Sequence, residues 1–204
     1  MREATMQIFG FGELSAEVQK RVIDREREQC ASTRIEQDSW GYRNCITEME
    51  SVLGIRIDDW ECGYSSHFFR WHMELERFQE LLDRKDGLVR YINEVEDAVS
   101  MKAGKMYWGK GLHKTRRSRV LFDYDCRLTG TWTDDAFNKA FEERWEAVRK
   151  GWTIDDFVEN LLEQFFSFWE EDIEHAYDDN VVIDDIKSSG MEFTKEGQVW
   201  ACVA

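Results

Sequence analysis

The chain has 204 residues, with 42 Asp and Glu against 27 Lys and Arg and a formal net charge of −15. Its hydrophobic fraction of 42% and aromatic fraction of 14% supply enough apolar side chain for a core, which excludes global disorder. No apolar run approaches bilayer length and no secretory signal opens the chain, so a cytoplasmic protein with no membrane contact is expected.

In chain order, Thr5 to Phe9 reads as a short strand. Ser15 is placed as an N-cap, with Glu17 in the first helical turn and Val18, Val22 and Ile23 as an apolar stripe through about Arg27. A second helix is expected from about Ile35 to Leu53, with Trp40, Ile46, Met49 and Leu53 facing inward and Gly54 ending it. Ile55 to Tyr64 alternates as a strand does, and Phe68 to Trp71 is its expected hairpin partner. Glu74 to Val99 is periodic as a helix, with Asp86-Gly87 as a point of interruption. Met106 to Tyr124 reads as a second hairpin with a basic tip.

A helix from Thr133-Asp134-Asp135 to about Arg149 follows, and Gly151 breaks it. Thr153 with Asp156 three residues on forms a capping-box pattern, with Asp in place of Glu, for a helix running to about Tyr177. Val181 to Ser188 reads as one more short helix. Met191 to Thr194 and Gln198 to Trp200 flank a turn and form a terminal hairpin. With no repeat and no linker, residues 1–204 are expected to form a single α+β domain, dominated by helices with short antiparallel hairpins.

Charge is unevenly spread. Residues 98–122 contain seven Lys and Arg and no acid. Between Lys150 and Lys187 stand twelve carboxylates and no Lys or Arg. On a helix beginning at Thr153, Asp156, Glu159, Glu163, Glu170 and Glu174 share one narrow face, opposite Val158, Leu161, Leu162, Phe165, Trp169 and Ile173. Carboxylates three and four residues apart are spaced on the same order as phosphates along a nucleic-acid strand. Such a face repels nucleic acid and attracts basic protein surfaces. It is also what an ordinary solvated amphipathic helix in an acidic protein would carry.

The basic strip holds Lys102, Lys105, Lys110, His113, Lys114, Arg116, Arg117 and Arg119 beside Tyr107 and Trp108. Basic and aromatic residues together can hold a nucleic-acid backbone and stack bases, but the acidic remainder opposes that approach. A solvated hairpin, or one paired with acids of its own chain or a second copy, fits better.

Five Cys, an odd number without a C-x-x-C, argue for reduced thiols in place of a disulfide framework. Cys62, His67 and His72 match no zinc spacing, and Asp123 with Asp125 supplies two ligands where a cation site needs more. No nucleophile elbow and no phosphate loop are present. His175 lies among acids and is expected in a surface ion pair. Neither a catalytic residue nor a metal nor a cofactor is implied.

Three patterns resemble a family of small proteins encoded by bacteriophages and prophages. They are Phe11-Gly12-Glu13-Leu14-Ser15, Asp123-Tyr124-Asp125-Cys126-Arg127-Leu128-Thr129-Gly130, and Glu192-Phe193-Thr194-Lys195-Glu196-Gly197. Where relatives carry a Gly-rich acidic segment, this chain has Cys62 to Phe68, so a ligand role for that loop is lost. The resemblance implies a phage or mobile-element origin and work inside a bacterial host cell, such as blocking a defence system.

Taken together, the expectation is an anti-defence, anti-CRISPR-like inhibitor and not an enzyme. Asp156, Glu159, Glu163, Glu170 and Glu174 would bind a basic, nucleic-acid-binding host effector, with Trp108, Trp132 and Trp152 as candidate anchors. The alternative is an antitoxin-like or regulatory protein binding a cognate partner or nucleic acid through the basic hairpin 102–119. A metal-dependent enzyme built on Asp123 and Asp125 is a third reading. Charge reversal of Glu159, Glu163 and Glu170 together is expected to abolish partner binding and spare the fold.

Overall fold

A computed structural model describes residues 7–98, 101–108, 115–122 and 133–202; for 101–108, 115–122, 133–138, 142 and 201–202 it describes the backbone alone. The helix-dominated α+β class expected from the sequence is what it shows. The chain divides into two compact units, Met1–Ser39 with Glu171–Ala204, and Trp40–Glu170. The division falls within two continuous helices, α1 (Ala16–Leu53) and α5 (Ile154–Ala176).

The first unit contains β1 (Phe9–Gly10), a 3-10 turn (Phe11–Glu13), the start of α1, the end of α5, α6 (Asp179–Ser188), β6 (Met191–Phe193) and β7 (Val199–Cys202). The strands form one antiparallel sheet in the order β1-β6-β7. Phe11, Leu14, Val18 and Val22 meet Val182, Ile186 and Phe193 in its core. Phe11 and Phe193 pack edge to face at 6.3 Å.

The segments Phe11–Ser15 and Glu192–Gly197 meet here, and each has a structural reason. Glu13 Oε2 accepts the Gly10 N–H at 2.7 Å, closing the 3-10 turn. Gly197, in the β6–β7 turn, has φ +83°, and a Cβ there would lie 2.7 Å from Val18 Cγ1 and 2.9 Å from Val22 Cγ2. Arg27 pairs with Asp179 at 2.5 Å and Arg34 with Asp185 at 2.6 Å, tying α1 to α6.

The second unit holds the rest of α1, β2 (Ile55–Gly63), β3 (Ser66–Met73), α2 (Glu76–Leu82), α3 (Gly87–Ala98), β4 (Met101–Trp108), β5 (Thr115–Phe122), α4 (Thr133–Lys150) and α5 to Glu170. Both hairpins are two-stranded and antiparallel. Gly54 ends α1 at φ +66°, and a Cβ there would stand 2.5 Å from the Phe78 ring. The β2 strand bulges between Ile57 and Asp59, and Glu50 Oε1 accepts the Ile57 N–H at 2.8 Å.

Several expectations need correction. The two helices placed over Ser15–Arg27 and Ile35–Leu53 are one 38-residue helix, α1. The gap between their apolar stripes is bridged by small buried residues, Cys30 and Ala31, and nothing from Glu28 to Arg34 breaks a helix. Trp40 does not face inward; it is 73% exposed. Tyr42 takes the core position instead, and two residues of helix separate the directions by roughly 200°. It is fully buried and stacks on Trp169 at 4.6 Å.

The strand expected over Thr5–Phe9 is Phe9–Gly10; Thr5 and Met6 lie outside the described residues, and Gln7 and Ile8 are not in a strand. The helical stretch 74–99 is interrupted as Asp86-Gly87 signalled, giving α2 and α3. The second hairpin starts at Met101, five residues before the expected Met106.

Candidate functional site

Helix α5 is laid down by its own sequence. Thr153 Oγ1 accepts the Asp156 N–H at 3.1 Å, and Asp156 Oδ2 accepts the Thr153 N–H at 2.8 Å, so the capping box is realised. The Thr153 N–H, together with the Thr153 hydroxyl that donates to Oδ2 at 2.8 Å, holds the Asp156 carboxyl below its usual range. Within the second unit, Phe157, Val158, Leu161, Leu162, Phe165, Phe166 and Trp169 are buried. The inward face matches the sequence expectation, with Phe157 and Phe166 added to it.

The carboxylate face is less free than its sequence implies. Asp156, Glu159 and Glu163 are exposed, and Glu170 is half-buried. Glu174 belongs to the first unit and is half-buried there. Three of these carboxylates grip the β2–β3 hairpin. Trp71 Nε1 donates to Glu159 Oε2 at 2.6 Å. His67 lies between two acids, its Nδ1 2.5 Å from Glu170 Oε2 and its Nε2 3.2 Å from Glu163 Oε1.

The hairpin is seated on α5 by aromatic rings. His67, Phe69 and Trp71 alternate along β3 and so share one face. Phe69 stacks on Phe166 at 5.1 Å, and the His67 ring lies parallel to Phe166 at 6.1 Å. From β2, Trp60 packs on Trp169 at 5.1 Å and on Phe166 at 6.3 Å. Cys62 is the cross-strand neighbour of His67, and its Sγ donates to the Phe166 carbonyl at 3.7 Å. Burial, with Glu170 nearby, pushes the Cys62 thiol up to about 12, so it is neutral and unreactive at neutral pH. For His67, burial works against the charged ring but Glu170 and Glu163 outweigh it, and its pKa is raised.

Towards its start, α5 borders an open concavity of about 520 Å³ lined by Trp152, Asp156, Glu159, Asn160 and Glu163. Lys150 Nζ sits 5.9 Å from the Trp152 ring centroid and pairs with Glu146 at 3.3 Å. A half-buried aromatic ring beside three carboxylates can accept an ammonium or guanidinium group by charge pairing and by the ring's quadrupole.

The remaining sequence candidates fall as follows. Cys62 and His67 are adjacent, but His72 lies further along β3 and bonds Asp58 at 2.8 Å. Among the described residues, no group of three or more His, Cys, Asp and Glu could hold a metal ion. His175 pairs with Asp178 at 2.9 Å on the surface of the first unit, as expected. Asp123, Asp125, Cys126 and Trp132 lie outside the described residues, as do Lys110, His113 and Lys114 of the basic strip. Lys102 and Lys105 are on β4, and Arg116, Arg117 and Arg119 on β5. Among the described residues, no helix is long and apolar enough to cross a membrane.

Sequence reasoning missed His67 as the residue that joins two acids of α5. Its signal was present only in part: alternating His67, Phe69 and Trp71 mark one face of a strand, but the helix that receives them begins more than eighty residues later. Compared with protein-family models, with curated proteins and with solved structures, the chain matches none.

Proposed function

We propose that this protein is a stoichiometric inhibitor that binds a basic, nucleic-acid-binding surface of a host protein through the first half of α5. The resemblance to phage-encoded proteins supplies the setting, an anti-defence factor acting in a bacterial cell. The observation that carries the reading is the concavity that Asp156, Glu159 and Glu163 line together with Trp152. Successive acids on this helix rise by about 4.5 and 6 Å. The helix that presents them is anchored by a continuous buried face, so little order is lost when a cationic surface docks. Complementary charge speeds the encounter, and Trp152 gives an aromatic anchor at its centre.

The geometry changes which variants test the idea. Reversing Glu170 would break the contact with His67, so the triple charge reversal at Glu159, Glu163 and Glu170 would disturb the hairpin as well as the face. Glu159→Gln with Glu163→Gln removes two charges while keeping acceptors for Trp71 and His67. Binding to the partner recovered from host lysate should weaken at least about tenfold, and its dependence on salt should flatten. Nucleic acid should compete with the wild-type protein. Unchanged affinity in the double variant, with the fold intact by circular dichroism, would refute the proposal.

A further inference from the structure

We infer that His67 is a proton-operated clasp that sets how much of the charge of α5 is open to a cationic partner; its regulatory half rests on the function proposed above. The geometry is specific. Both ring nitrogens face carboxylates, Nδ1 towards Glu170 and Nε2 towards Glu163. A neutral imidazole has one N–H and one lone pair, so it can satisfy only one of them. The imidazolium donates to both. With the His67 side chain only 12% exposed, water has little room to make up the difference.

The other groups facing the ring do not compete. From β2 comes Cys62, whose thiol stays neutral. From α5 come Glu163, Glu170 and the uncharged Phe166 ring, and from β3 the Phe69 ring, which lies parallel to the imidazole at 6.4 Å.

Loss of the proton acts unequally on the two acids. Glu170 is the closer partner and is 21% exposed, whereas Glu163 is 57% exposed. The neutral ring keeps its N–H on Glu170 and turns a lone pair towards Glu163. Glu163 then swings free, into the concavity it lines with Trp152, Asp156 and Glu159. The acidic face gains one unclaimed charge at the place where a guanidinium would dock.

The folded protein holds the His67 proton more tightly than the unfolded chain. The clasp is therefore complete below about pH 6.5, the ordinary imidazole value, and is lost as pH rises through the raised one. Affinity for a cationic partner rises over the same interval. By reciprocity, a bound cation lowers the pKa of His67.

The test uses the whole protein and an octa-arginine peptide, whose charge does not titrate in this range. NMR of the imidazole nitrogens in the free protein should place His67 above about 6.5. Glu163→Gln, at an exposed position, should bring it down. At constant ionic strength, wild-type affinity for the peptide should rise about threefold to tenfold from pH 5.5 to 8.5. In His67→Gln it should stay flat. A His67 that titrates at or below the ordinary value, or that ignores Glu163→Gln, overturns the clasp, as does an unchanged pH slope in His67→Gln. The NMR measurements need no ligand. If they succeed and the peptide fails to bind at either pH, the clasp stands and the partner-binding reading falls with the regulation built on it.

Discussion

Phe166→Ala tests whether the β2–β3 hairpin is held on α5 as described. Phe166 is fully buried, and the rings of Trp60, His67, Phe69 and Trp169 lie 5.1–6.3 Å from it. Truncation removes the shared surface of that stack and leaves a cavity that the flanking α5 residues, fixed by the helix, cannot fill. A buried Phe replaced by Ala costs about 3–5 kcal/mol, the transfer free energy of the lost ring plus the cavity it leaves. For a chain of this size each kcal/mol lowers the melting temperature by about 2–4 °C, so a fall of roughly 6–20 °C is expected. The assays are thermal and urea unfolding, with amide hydrogen exchange read peptide by peptide. Exchange should accelerate most in Ile55–Met73, and the first unit should be affected least, because the lost contacts all lie in the second. A stability loss below about 1 kcal/mol, or protection of the hairpin unchanged, would refute the packing on which the site depends.

Two further predictions concern groups that the site leaves aside. Arg144 is 4% exposed, its Nε lies 2.7 Å from Glu96 Oε1, and its guanidinium also donates to the Phe141 carbonyl. Arg144→Met strands a carboxylate that burial already pushes up, and should cost about 3–5 kcal/mol by urea unfolding; a loss under about 1 kcal/mol would contradict a paired buried charge. Cys62 should resist alkylation in the native protein at pH 8 and react only on unfolding, read by peptide mass mapping; rapid native labelling would contradict its burial and raised pKa.

Local signals in the sequence were sufficient for elements whose ends are written in the chain. Thr153 and Asp156 marked the start of α5, and Gly54 the end of α1. Alternation from Ile55 and the turn before Gln198 gave two of the hairpins. Where the signal was weak, a competing rule decided. The continuity of α1 was hidden because small residues carry its buried face at Cys30 and Ala31, and Trp40 drew the reading inward although Tyr42 fills the core.

The candidate site was legible as charge and not as geometry. The acidic face of α5 follows from helical spacing, but its partners on β3 are remote in sequence. Nothing local in His67 or Trp71 says which helix they will meet. The concavity beside Trp152 is likewise a product of tertiary placement.

The first half of α5 is proposed to engage a cationic surface. A structure of the protein bound to the partner it captures is the most direct measurement. It should place Lys or Arg side chains of a nucleic-acid channel within ion-pairing distance of Glu159 and Glu163, with Trp152 beneath one of them. A complex in which this face points to solvent, and the contact lies elsewhere on the molecule, would contradict the account.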